Sequence, residues 1–145
     1  MVHLDDLPLT LRKVLITGSR EWDNEEKLRV ALLDLWTPGA VLVSGGCAQG
    51  ADRIAETLWD AWGGMVLRYP ADWHAPCTAR CHHQTRGSFS YSWCPMAGLY
   101  RNEMMVDHGA DVCLACYKEG AKNRGTSYCA SYAARQGIPV IKIRG

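Results

Sequence analysis

Apolar residues are distributed along this chain in two alternating patterns: short continuous runs of strand length, and longer stretches in which they recur every three or four positions. The first run, Lys13–Thr17, is rich in β-branched and apolar residues and predicts a strand. It ends in Gly18-Ser19-Arg20. Asn24 can then cap a helix that carries Leu28, Ala31, Leu32 and Leu35 on one face, and Pro38-Gly39 stops it. A second run, Ala40–Val43, breaks into Ser44-Gly45-Gly46, and Gly50 leads into a second helical pattern (Ala51, Ile54, Ala55, Leu58, Trp62) closed by Gly63-Gly64. Met65–Tyr69 predicts a third strand. Further on, Ala97–His108 reads as a helix, Asp111–Cys116 as a strand, the stretch after Gly125-Thr126 with Ala130, Ala133 and Ala134 as a last helix, and Pro139–Ile143 as a fifth strand.

Strands alternating with amphipathic helices imply right-handed βαβ crossovers. The expected fold is therefore α/β: a single Rossmann-like domain with a five-stranded, mainly parallel sheet, flanked by helices and buried on both faces. Residues 1–12 read as an N-terminal tail and 13–145 as the domain. Between the third strand and the third helix, Pro70–Pro95 holds three prolines, a Cys/His cluster and no period, so it reads as an insertion.

Composition narrows the function classes. A chain of 145 residues holds one domain with one core. Sixteen basic against fifteen acidic residues give a net charge of +1, which argues against nucleic acid or an anionic membrane as a partner. No apolar run approaches the roughly 20 residues of a membrane span. Asp5, Asp6 and Pro8 stand where a signal peptide would be apolar, so a cytoplasmic location is expected.

In a parallel sheet the loops after the strands converge on one edge. The first offers Gly18, Ser19 and Arg20; the second Ser44, Gly45, Gly46 and Gly50, followed by Asp52; the third Asp72 and, entering its helix, Arg101 and Asn102; the fourth Lys122, Gly125 and Thr126. Glycine turns that lead into helices, together with three cations, describe an anion pocket of phosphate or nucleotide type. Taken singly, each arginine has a blander reading as a solvated surface charge, and an acid in the first turn of a helix, such as Asp52, is favoured by the helix dipole whatever the ligand.

Five of these motifs carry a resemblance. Gly18-Ser19-Arg20-Glu21-Trp22, Ser44-Gly45-Gly46 with Gly50-Ala51-Asp52, Ala71-Asp72-Trp73, Gly98 with Arg101-Asn102 and Met105, and Gly125-Thr126 occur in the order and spacing of the YspA-type, YpsA-related branch of the SLOG superfamily. The resemblance spans about Lys13 to Ile143. It implies a Rossmann-like fold, a bacterial or phage setting, and a pocket for a nucleotide or nucleotide-derived small molecule, held by a sensor or sequestering module. On that reading Ser44, Gly45, Gly46 and Gly50 hold phosphate through backbone N–H groups and Arg20 and Arg101 neutralise it. Asp52 or Asp72 accepts from a ribose hydroxyl, and Asn102 and Thr126 fix orientation. Two other classes share the superfamily: nucleotide hydrolases, for which Asp52 and Asp72 are the catalytic candidates, and single-strand nucleic-acid binders. Lonely-guy hydrolases place a glutamate where this chain has Cys129, and a lysine where it has Asn102. A buried helix thiol is the expected role of Cys129. Trp59 and Trp62, if exposed together, would mark a homodimer face.

The insertion carries its own chemistry. Cys77, Cys81 and Cys94, with His83 in preference to His82 or His74, would complete a closed tetrahedral shell for a structural zinc that pins the loop. Free cysteines in a loop are the alternative. Elemental analysis of the purified protein is expected to give about one zinc per chain, and Cys81→Ser to lose it.

Overall fold

The computed structural model describes residues 12–72, 84–85, 92–93 and 96–145. Five strands, β1 (Lys13–Gly18), β2 (Val41–Ser44), β3 (Met65–Arg68), β6 (Val112–Tyr117) and β7 (Val140–Arg144), form one sheet in the order β3-β2-β1-β6-β7. Every neighbouring pair is parallel. Four helices connect them: α1 (Glu25–Leu35), α2 (Ala51–Ala61), α3 (Ala97–Asp107) and α4 (Arg124–Arg135). Within the expected insertion, β4 (Gln84–Thr85) and β5 (Ser92–Trp93) pair antiparallel as a separate two-stranded ribbon, which the sequence pattern did not reveal. The proposed zinc ligands Cys77, Cys81, His83 and Cys94 lie outside the described residues, as do His74, His82 and most of the N-terminal tail.

Successive side chains of a strand point to opposite faces, and the core divides accordingly. Val14, Ile16, Leu42, Val112, Leu114 and Cys116 meet Leu28, Leu32 and Leu35 of α1 and Ala51, Ala55 and Trp59 of α2. Leu15, Val43 and Cys113 meet Met105 and Val106 of α3 and Cys129 and Ala133 of α4. The chain starts in the middle of the sheet, builds outward to β3, then returns to the other side of β1 with β6. That reversal opens a crevice at the carboxyl ends of β1 and β6, the place where open α/β sheets receive ligands.

Burial on both faces holds for β1, β2 and β6 and fails at the edges. Met65 is 62% exposed and Leu67 40% on β3, and Ile141 is 41% exposed on β7. Two helices per face, each about 10 Å wide, do not cover five twisted strands spaced about 4.8 Å apart. Helix α4 also begins earlier than expected, so Gly125 and Thr126 lie within its first turn. The residue before it, Asn123, sits in the left-handed region at φ 54°. Its side chain closes the preceding loop, accepting from Lys118 N–H and donating to the carbonyls of Lys118 and Ala121.

Trp59 is fully buried, edge-on to Trp36 at 4.8 Å between ring centroids, and its indole N–H donates to the Ala40 carbonyl at 3.2 Å. Trp62, half-buried, packs beside it. The pair is therefore part of the core and does not form the exposed face that would mark a dimer. No helix among the described residues is long and apolar enough to cross a membrane. Trp59→Ala is expected to cost about 3–5 kcal/mol, read as a lowered urea midpoint, because it empties a packed indole site and leaves the Ala40 carbonyl without its donor.

Candidate functional site

Four loops meet above the carboxyl edge of the sheet and wall a cavity of about 990 Å³. Eleven of the residues expected from the sequence line it: Gly18, Ser19, Arg20, Gly45, Gly46, Asp52, Arg101, Asn102, Lys122, Gly125 and Thr126. Lys122 and Arg124 add positive charge from the loop after β6 and the first turn of α4, and Gln49 adds an amide. Among the lining residues four cations stand against two carboxylates, Glu21 and Asp52.

Ser44, Gly50 and Asp72 do not line the cavity. Ser44 is fully buried; its hydroxyl donates to Glu56 Oε2 at 2.7 Å and accepts from Gly46 N–H at 3.0 Å. Gly50 is a joint between loops. With φ at +77° it occupies backbone space where a Cβ would stand 2.4 Å from the Ser19 carbonyl oxygen, and the same carbonyl accepts from Ala51 N–H at 3.1 Å. Asp72 is exposed, four residues beyond the end of β3.

The amides of the second loop behave differently from expectation. Gly46 N–H is taken by Ser44, and Cys47 N–H donates to Asp52 Oδ2 at 3.3 Å. The loop thus turns these two donors onto the protein's own side chains. Arg101 is likewise engaged. Its Nε donates to Asn102 Oδ1 at 2.8 Å and its Nη1 to the Gly45 carbonyl at 2.7 Å, so it braces α3 against the loop while lining the cavity. A Cβ on Gly45 would meet that Nη1 at 2.6 Å, so a side chain there would displace the guanidinium. Asn102 is buried, and its Nδ2 lies 3.5 Å from the Gly125 carbonyl, joining α3 to α4.

Helix ends supply the remaining donors. The first N–H groups of any helix lack intrahelical partners and carry the positive end of its dipole. Away from the cavity, α1 satisfies one of these with Asn24, whose Oδ1 accepts from Lys27 N–H at 3.0 Å, and places Glu25 and Glu26 in its first turn. At the cavity, α2 and α4 have no side-chain cap. Asp52 is the acid in the first turn of α2. Burial is the main influence on its carboxyl and pushes it up to about 6, against the opposing pull of the Cys47 amide, Arg101 and Arg20.

Cys129 is fully buried on α4 and does not line the cavity. A hydrogen bond from Cys113, and a smaller one from Thr17, hold its thiol below the ordinary range, while the same contact and burial push Cys113 up. Its surroundings are those of a core thiol. Cys47, by contrast, is half-exposed on the glycine loop. Sequence reasoning also passed over Glu56. The signal was its spacing from Asp52, four residues along α2 and hence on the same face.

A parallel sheet with its strand-order reversal under a cationic, glycine-walled cavity is the architecture of a Rossmann-like α/β domain. The profile of the YspA, cpYpsA-related SLOG family matches residues 12–75, which carry β1 through β3 and both glycine loops. The chain is also 39% identical, over 133 residues, to the Gene 61 protein of Mycobacterium phage D29, a match that covers 90% of this chain and 95% of that one. The chain belongs to the YspA, cpYpsA-related SLOG family. No solved structure gives a significant match.

Two outcomes follow from the site geometry. Gly50→Ala is expected to destabilise the fold by about 2 kcal/mol or more in chemical denaturation, because both the positive φ and the contact with Ser19 oppose a side chain. Asp52 binds its proton more tightly when folded, so its contribution to stability is complete below about pH 4 and is lost as pH rises through about 6. Asp52→Asn should therefore gain on the order of 2 kcal/mol relative to the parent protein between about pH 4 and pH 8.

Proposed function

We propose that the protein binds a nucleotide or nucleotide-derived small molecule in this cavity and acts as a sensor or sequestering module. The observation that carries the reading is the polarity of the cavity. The uncapped first turn of α4, with Lys122 and Arg124, offers free donors and positive charge, whereas Asp52 offers a buried acceptor from α2. A molecule with a phosphate at one end and hydroxyl or amine donors at the other satisfies both. The volume is that of a small-molecule site. Because the second loop's amides at Gly46 and Cys47 are engaged internally, the phosphate is assigned to α4, and Asp52, rather than Asp72, takes the ribose side. Arg20 neutralises charge, and Ser19, Asn102 and Thr126 orient the ligand. The structural zinc of Cys77, Cys81, His83 and Cys94 belongs to the same reading, supported by that residue set alone.

A second reading, hydrolysis of a nucleotide derivative, is favoured by one observation. A carboxyl raised to about 6 inside a ligand-sized cavity is suited to proton transfer near neutral pH. Calorimetric titration with AMP and adenosine separates the possibilities. AMP is expected to bind at least about tenfold tighter than adenosine, and Lys122→Ala with Arg124→Ala to remove most of that difference. Equal affinities would reject the phosphate assignment. Release of free base from AMP during the titration would establish the hydrolase reading.

A further inference from the structure

Glu56 is nearly fully buried and does not reach the cavity. A buried carboxylate is costly unless paired and hydrogen-bonded, so its partners matter. They are two. Ser44 Oγ donates to Oε2 at 2.7 Å, and Arg68 Nε, from the end of β3, donates to Oε1 at 2.5 Å. A hydroxyl has a single hydrogen. Once Ser44 has given it to Glu56, only its lone pairs face the chain, and they accept from Gly46 N–H at 3.0 Å. The carboxylate therefore dictates which way the serine hydroxyl points, and the serine dictates where the Gly46 amide points. Gly46 sits at φ +73°, a conformation that glycine adopts without strain, and the stem of Arg68 borders it: a Cβ there would lie 3.8 Å from Arg68 Cβ. The next residues are fixed from other directions, Cys47 by Asp52 and Gly45 by Arg101.

We propose that Glu56 is a positioning residue for the cavity: through Ser44 it holds the Gly45–Cys47 loop in its ligand-ready shape, and Arg68 holds Glu56. The chain Arg68, Glu56, Ser44, Gly46 runs from the sheet's open edge strand to the cavity wall, and of its members only Gly46 touches the cavity. The effect on ligand affinity rests on the binding reading above; the effect on the loop does not.

The test is amide hydrogen exchange and AMP calorimetry on the same full-length variants. Glu56→Ala frees the Ser44 hydroxyl to rotate and should speed exchange at Gly46 by about tenfold or more, while the amides of Leu15 and Leu114 in the central strands keep their rates. Glu56→Gln, which retains an acceptor oxygen, should stay within about threefold of the parent, a rescue that loss of packing alone would not explain. AMP affinity should follow the same order, and Ser44→Ala combined with Glu56→Ala should bind no more weakly than Ser44→Ala alone. An unchanged Gly46 rate in Glu56→Ala overturns the proposal whatever AMP does. If the parent protein fails to bind AMP, the binding reading falls and the exchange data still decide the loop. If Glu56→Ala speeds every amide equally, Arg68→Ala, at a largely exposed side chain, decides: faster exchange confined to Gly46 supports the proposal, and no change overturns it.

Discussion

At Gly18 and Gly50 there is no room for a side chain, and the site is built around them. A Cβ at Gly18 would stand 2.4 Å from the Ala51 Cβ and 2.8 Å from the Cys116 Cβ; one at Gly50 would strike the backbone of Ser19 and Arg20. These contacts draw the end of β1, the start of α2 and the end of β6 together where the strand order reverses. Because the backbones approach so closely, Ala51 N–H reaches the Ser19 carbonyl, and the first turn of α2 is held against the loop after β1. Asp52 is buried as a consequence, and the cavity takes its shape from the same approach.

Close approach of loops creates a second problem, that of polar groups removed from water, and the protein meets it with its own side chains. Asp52 and Glu56, one helical turn apart on α2, face the glycine loop, one directly and one through Ser44. Arg101 and Asn102 tie α3 to the loop and to α4. The loop is thus fixed by side chains from α2 and α3, and a rigid wall of this kind lowers the ordering cost of binding. The start of α4, which has no side-chain cap, is flanked by Lys122 and Arg124. The asymmetry between a braced, acid-backed loop and an open, cationic helix end gives the cavity its direction.

Family membership and geometry bear on different questions. The match to the SLOG family profile covers β1 to β3, and the likeness to the phage D29 protein extends over nearly all of both chains. The departure that the sequence resemblance brings into view, Cys129 in place of a glutamate, lies at a fully buried position among other thiols. A carboxylate there would need a partner that the neighbouring Cys113 and Thr17 supply only in part. The buried acid at the cavity, Asp52, comes from α2, on the opposite side of the sheet.

The alternation of strand and helix, the parallel sheet and the edge on which the loops meet were legible in the sequence, because each rests on local signals: β-branched runs, apolar spacing, and glycines at strand ends. It also pointed to most of the cavity lining, since the topology of a parallel sheet leaves those loops nowhere else to go. Tertiary structure alone decided what each group does there. Arg101 reads from sequence as a free cation and is a brace; Ser44 and Gly46 read as phosphate donors and are bonded to each other; Trp59 reads as a candidate contact face and is core. Glu56, a polar residue on an amphipathic helix, gave no local sign of its role. Hydrogen bonds between residues far apart in the chain are set by where the packed elements bring their atoms, and no periodicity records that.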